Sequence, residues 1–295
     1  MNLFLNNIKY QVAGKEILNN ISFQIFSGDI VALLGENGAG KTTLFEVIAH
    51  TINPDHGEII FNGKSSFSAS KDRIGVLWDN IELFPWLKVR EVVAYVQSMY
   101  GINTLHFDNY RHLGLEKIED TLMHKLSRGE KKRIYIYLST IHNPSLLLLD
   151  EPTSELDPTI RSIIWNNIFI QNRRTVLFSS HMWEEARKYA TKIIFLYKGE
   201  ILNKPCSLDE LHQLIPVEKK VVINNDIEIS LRNTISYENK SNKVFLIKKG
   251  DDTILKKIKE KTPNYTIMPV ELEDLYYYLI NVKHENNFNR NILST

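Results

Sequence analysis

The stretch that most constrains this chain is Ile30-Val31-Ala32-Leu33-Leu34, then Gly35-Glu36-Asn37-Gly38-Ala39-Gly40-Lys41-Thr42-Thr43, then Leu44, Val47 and Ile48 at helical spacing. Strand, glycine loop and helix follow in that order, and the loop fits G-x-x-x-x-G-K-[ST]. Successive backbone N–H groups can turn inward around a phosphate only where side chains do not intrude, and the glycines meet that need. Lys41 is then able to reach the β- and γ-phosphates of a nucleotide. The Thr42 hydroxyl can ligate Mg²⁺, and the helix offers its N-terminus to the anion.

A second apolar run, Leu146-Leu147-Leu148-Leu149, ends in Asp150-Glu151-Pro152. Continuous apolar runs of this length read as parallel strands buried on both faces, and ligands of such sheets gather at the carboxyl ends of the strands. Asp150 is therefore the candidate Mg²⁺ partner and Glu151 the candidate general base for an attacking water. A third strand pattern, Arg174 to Ser180, ends at His181, a candidate hydrogen-bond donor to a γ-phosphate.

Composition narrows the setting. At 295 residues, with 43% hydrophobic and 24% charged residues, the chain can bury a core and has the length of about two domains. Its 36 basic and 35 acidic residues leave a net charge of +1, which argues against a nucleic acid as main partner. No apolar run approaches the roughly 18 residues of a membrane span, and the N-terminus lacks the features of a signal peptide. The single cysteine, Cys206, excludes an internal disulfide and suits a reducing compartment.

Between the two nucleotide motifs lies Leu126-Ser127-Arg128-Gly129-Glu130-Lys131-Lys132-Arg133, and after the second comes Ser154-Glu155-Leu156-Asp157. With these motifs in this order, the chain resembles the ATP-binding subunits of ABC transporters from about Leu3 to Leu214. The first segment is similar to the family signature and the second to its D-loop. The resemblance implies an α/β fold: a phosphate-loop NTPase core with a mixed sheet, over residues 1–216, and a helical subdomain at about 80–143. It implies ATP and Mg²⁺ as ligands, with the loop Gly35–Thr43 holding the nucleotide. It also implies a dimer, most simply a homodimer, in which Ser127 and Gly129 of one subunit meet the nucleotide of the other and Asp157 holds the seam. Tyr10 falls where the family places an aromatic against adenine; an ordinary strand tyrosine is the alternative. Separate transmembrane permease subunits are the implied partners, putting the chain at the cytoplasmic face of the cell membrane.

Two departures stand out. Where the family usually has glutamine, this chain has Asp79, a candidate catalytic residue and Mg²⁺ ligand that also adds negative charge beside a triphosphate. The alternative is a tolerated variant with a sluggish site. Transporters of lantibiotic immunity resemble the chain in carrying an acidic residue there, which points towards peptide substrates. In the signature, Arg128 and Glu130 replace glycine and glutamine; Arg128 either adds a cation near the partner's nucleotide or is a solvated helix start. The apolar loop holding Phe84, Pro85 and Trp86 is a candidate socket for a helix of the permease, or internal packing of the helical arm.

Beyond Leu214, Val221–Ile223, Ile227–Leu231, Val244–Ile247 and Tyr265–Met268 read as strands, and Asp252 as the cap of a helix. A further helix is expected from Leu272 to Val282. These make 217–284 a small accessory α+β domain, followed by a flexible tail at 285–295. Tyr276, Tyr277 and Tyr278 serve either its core or a dimer contact. Its C-terminus resembles that of bacterial exporter subunits, so export, possible cargoes being peptides, drugs or antimicrobials, is the expected direction. The competing readings are a soluble ABC ATPase uncoupled from transport and an ATP-binding switch of very low turnover.

Overall fold

The structure is a computed structural model that describes residues 1–63, 70–79, 82–102, 107–170, 173–224, 234–239 and 242–292, without side chains at 107 and 284–292. It divides into two compact units, Met1–Pro205 and Cys206–Thr295. The division falls ahead of the Ser207-capped helix Leu208–Leu214, which packs on the C-terminal helix of the second unit.

The first unit opens with β1 (Leu3–Val12) and β2 (Lys15–Ile25), followed by β3 (Ile30–Leu34), α1 (Lys41–Ile48) and β4 (His56–Phe61). β1, β2 and β4 form an antiparallel sheet ordered β2-β1-β4. Next come β5 (Ile74–Leu77), α2 (Val89–Met99), α3 (Phe107–His112), α4 (Arg128–Thr140) and β6 (Leu146–Leu149). Helices α2 to α4 fall within the expected helical segment. Then follow α5 (Pro158–Ile164), continued by a π-helical turn at Trp165–Phe169, β7 (Thr175–Ser180), α6 (Trp183–Tyr189), β8 (Lys192–Tyr197) and β9 (Glu200–Ile201).

A second sheet runs β5-β6-β7-β3-β8-β9, parallel except for the antiparallel β9, and is therefore mixed. β3, β6 and β7 are buried along their whole length, β3 and β6 as unbroken apolar runs and β7 with Thr175, Ser179 and Ser180 at its ends. One core cluster draws Leu3, Ile8 and Phe61 from the antiparallel sheet, Leu33, Leu148 and Ile194 from the mixed sheet, and Leu44, Phe45 and Ile48 from α1. That packing fixes α1, and with it the loop that precedes it. Among the described residues no helix is long and apolar enough to cross a membrane.

The register sets the site. Leu34 of β3 pairs with Ser180 of β7, and Leu149 of β6 with Phe178 of β7. Leu77 of β5 pairs with Leu149. Parallel strands in this register bring the glycine loop, Asp150-Glu151, Ser179 to His181 and Asp79 out at one edge.

The second unit contains α7 (Leu208–Leu214), β10 (Val217–Asn224), β11 (Ser236–Asn239), β12 (Asn242–Lys248), α8 (Thr253–Lys261), β13 (Thr266–Pro269) and α9 (Leu272–Ile292). Its sheet, ordered β11-β12-β10-β13, is antiparallel throughout. The strand expected at Ile227–Leu231 lies outside the described residues. Asp252 occupies the cap position of α8, but its carboxylate pairs with Lys219 at 2.8 Å, while Asp251 accepts the Thr253 N–H at 3.0 Å. The tail expected to be flexible from residue 285 continues α9 to Ile292; 272–292 holds neither proline nor glycine to stop the helix. Tyr276 is fully buried and Tyr278 nearly so, which places both in the unit's own packing.

Candidate functional site

The glycine loop leaves β3 in a conformation only glycine supports. A Cβ at Gly35 would lie 2.2 Å from the Leu196 carbonyl oxygen, and Gly40 has φ of +105°. The cradle therefore follows from the sequence at those positions. Lys41, the first residue of α1, is 8% exposed, and its Nζ donates to the carbonyl oxygens of Gly35 at 2.7 Å and Glu36 at 3.1 Å. Burial lowers its pKa from the ordinary lysine value, against the opposing charges of Glu151, Asp150 and Glu36. Glu36, Asn37 and Gly38 face solvent, Ala39 is buried, and Gly40 and Thr43 are half-buried.

Asp150 is 2% exposed and held by hydroxyls: Thr42 Oγ1 donates to Oδ2 at 2.8 Å and Ser179 Oγ to Oδ1 at 2.5 Å. Its donors are neutral. The next residue, Glu151, has φ of +47°, and its N–H donates to Ser179 Oγ at 2.9 Å. Its Oε2 lies 2.7 Å from His181 Nδ1. A carboxylate accepts, so Nδ1 carries the hydrogen of this bond and Nε2 is the free ring nitrogen.

These groups form one assembly, and it fits a Mg²⁺–nucleotide: an oxygen-only pair in Thr42 and Asp150, a lysine lodged on carbonyls, and a loop whose glycines leave room for close approach. Asp79 stands at the same edge. Its Oδ1 is 3.1 Å from Lys132 Nζ and 3.2 Å from Ser154 Oγ. Its neighbours Asn80 and Ile81 lie outside the described residues.

Other predicted residues are placed elsewhere. Ser127 caps α4, accepting the Glu130 N–H, while the Glu130 carboxylate accepts from the Ser127 N–H at 2.9 Å and from its hydroxyl at 2.7 Å. Those bonds from Ser127 lower the Glu130 pKa and give that departure a local role as a capping box. Arg128 pairs with Glu155 at 2.9 Å with 85% of its side chain exposed, as a solvated helix start does. A Cβ on Gly129 would lie 3.6 Å from the Glu155 carbonyl oxygen, so the signature faces the D-loop of its own chain. Asp157 caps α5, accepting from Thr159 and Ile160 N–H at 3.0 Å. Tyr10 is half-buried on β1 and packs against the core cluster. Phe84 packs edge-on against Tyr95 at 5.1 Å; Trp86 leans on His124 at 4.8 Å and stays 76% exposed.

Four contributors escaped the sequence: Ser179, Ser154, Lys132 and Glu185. Glu185, 4% exposed, accepts from Trp165 Nε1 at 2.7 Å, from Ser180 Oγ at 2.7 Å and from Thr153 Oγ1. It ties the π-helical turn, the end of β7 and the segment after Glu151 to α6. The signal within reach was the polar Ser179-Ser180 pair ending an otherwise apolar strand.

Residues 18–154 match a family described as ABC transporter. The chain is 32% identical over 205 residues to a lantibiotic transport ATP-binding protein, SrtF, of Streptococcus pyogenes, across 68% of this chain and 89% of the relative. It is 33% identical over 243 residues to a phosphonates import ATP-binding protein, PhnC, of Treponema denticola, across 73% and 95%. Among solved structures, a dimeric ATP-binding cassette in a post-hydrolysis state with ADP and phosphate superposes with a TM-score of 0.62 at 23% identity, across 70% of this chain and 98% of that one.

Proposed function

The chain belongs to the ATP-binding subunits of the ABC transporter family, and from that premise we propose how its own residues hydrolyse ATP and to what end. The carrying observation is the strand register that gathers the glycine loop, Asp150, Glu151 and His181 at one sheet edge, with His181 Nδ1 2.7 Å from Glu151 Oε2. Gly35–Thr43 hold the triphosphate, Lys41 moves its charge from loop carbonyls to phosphate oxygens, and Thr42 with Asp150 holds Mg²⁺. That ion supplies neutralisation of charge on the phosphate oxygens. Glu151 accepts the proton of the attacking water as the water oxygen bonds to the γ-phosphorus and the bond to the ADP oxygen breaks. His181 orients the Glu151 carboxylate through Nδ1 and presents Nε2 to the γ-phosphate.

In this reading two copies close on two nucleotides, Ser127 and Gly129 of each serving the other's ATP, Tyr10 meeting adenine and Asp157 lying at the seam. The closure drives separate transmembrane subunits, which keep the chain at the membrane's cytoplasmic face, and exposed Trp86 beside Phe84 receives their helix. Support comes from the dimeric neighbour and from relatives named for transport. The direction we assign is export of a peptide, supported by the lantibiotic transport relative, while PhnC is named for import.

The test compares ATP turnover of the parent and Glu151→Gln. Turnover falls by about 10²–10⁴-fold in the variant, the usual share of a general base, and the variant accumulates as an ATP-dependent dimer in size-exclusion chromatography. Parent turnover no faster than the variant's would replace the enzyme with an ATP-binding switch.

A further inference from the structure

A cavity of about 660 Å³ opens where helix α4, the segment after β5 and the loop after Glu151 converge on His181. Three ion pairs cross between these segments: Glu82–Lys131 at 3.0 Å, Glu155–Arg128 at 2.9 Å and Asp79–Lys132 at 3.1 Å. The first two each keep one partner mostly in water, with Glu82 76% and Arg128 85% exposed, and pairs of that kind hold little. The third differs. Lys132 has 7% of its side chain exposed, and a buried ammonium without a counter-ion is costly enough that its partner is held in place.

Asp79 is that counter-ion, and it does more. Ser154 Oγ lies 3.2 Å from the same Asp79 oxygen and 2.9 Å from the Glu151 carbonyl, so one hydroxyl proton is shared between the catalytic loop and the ion pair. Three separate segments therefore meet on one carboxylate. A bare carboxylate beside a triphosphate repels it, and Lys132 cancels that charge within the chain.

We propose that Lys132 is a positioning residue of the ATPase: it binds the Asp79 carboxylate and, through the Ser154 hydroxyl that meets the same oxygen, fixes Asp79 against the loop after Glu151. Asp79 then acts through this clamp and not as a ligand of Mg²⁺. The proposal rests on the ATPase reading above.

Asp79→Asn, Lys132→Gln, the double variant and Lys132→Arg are compared in the full chain. Two quantities are read: thermal unfolding without nucleotide, and ATP turnover across a Mg²⁺ series with Glu151→Gln as blank. Each neutralising single variant lowers the melting temperature by about 4 °C and kcat by about 10–100-fold, as loss of a supporting partner does. The double variant falls no further than the worse single one. Lys132→Arg recovers most of kcat, KM for ATP stays near the parent's, and half-saturating Mg²⁺ is unchanged in Asp79→Asn. A higher Mg²⁺ requirement in Asp79→Asn, with Lys132→Gln matching the parent, assigns Asp79 to the metal and overturns the clamp. Additive losses of melting temperature in the double variant overturn it as well. Parent turnover no faster than the blank removes the ATPase reading instead, so the two failures are told apart.

Discussion

Of the three lysines buried among the described residues, Lys41 at 8%, Lys132 at 6% and Lys220 at 6% exposed, the first and the last are buried for opposite ends. Lys220, on β10, lies 2.7 Å from Glu271 and 2.9 Å from Asp274, a fully buried carboxylate that also accepts from Tyr237 Oη at 2.6 Å and from the Glu271 N–H at 2.6 Å. Burial works to lower its pKa, but the hydrogen bonds and charges of Glu271 and Asp274 prevail and raise it. Lys41 rests on two neutral carbonyl oxygens, and burial prevails, lowering its pKa. Lys220 therefore has its counter-ions within the second unit. Lys41 donates to carbonyl oxygens and Asp150 accepts from neutral hydroxyls, whereas Asp274 pairs with a lysine. For these two lysines, direct carboxylate partners go with a place in the fold and neutral carbonyl partners with a place in the nucleotide loop.

Three substitutions or titrations would break or sharpen that contrast. The largest effect belongs to Lys220→Met, which strands Asp274 without its cation and costs about 3–5 kcal/mol in urea unfolding, with ATP turnover per folded molecule unchanged. A stable Lys220→Met would mean that the second cluster is not a finished pair. Lys41→Met should lower turnover by about 10²–10³-fold, the loss expected for one charge-stabilising group. It leaves the melting temperature of the nucleotide-free chain equal or higher, and a clear drop would show that Lys41 is structural. The smallest effect is in alkaline titration of stability, where the two lysines have opposite signs. The raised Lys220 value makes its contribution full below the ordinary value of 10.5 and lost as pH rises through the folded-state value. The lowered Lys41 value makes its burial cost fade as pH climbs towards 10.5. Melting of the parent against each Met variant from pH 8 to about 11 reads both slopes.

What could be read from residue order was whatever local spacing encodes. The glycine loop, the acidic end of β6, the histidine ending β7 and the apolar runs of the parallel sheet each declare themselves within about ten residues. Their convergence followed from the fold class, because parallel strands share a carboxyl edge. The contacts that escaped are those between segments far apart in the chain. Asp79 was conspicuous as an acid, but its partner Lys132 lies 53 residues on, inside a stretch that reads as signature. Ser179 meets Asp150 across a strand pair, and no pattern in either strand names the other. The helical tail was missed for a different reason: its asparagines and polar residues suggested looseness, although nothing in it breaks a helix.

Glu151 carries one more consequence. With φ of +47° it occupies a backbone region that costs a side-chain-bearing residue about 1–2 kcal/mol and glycine nothing. Relaxing the main chain there would favour glycine, and glycine cannot take a proton from water. Stability and chemistry therefore pull this position in opposite directions: a library selected only for heat resistance would drift towards glycine here, and one selected for turnover would hold the glutamate.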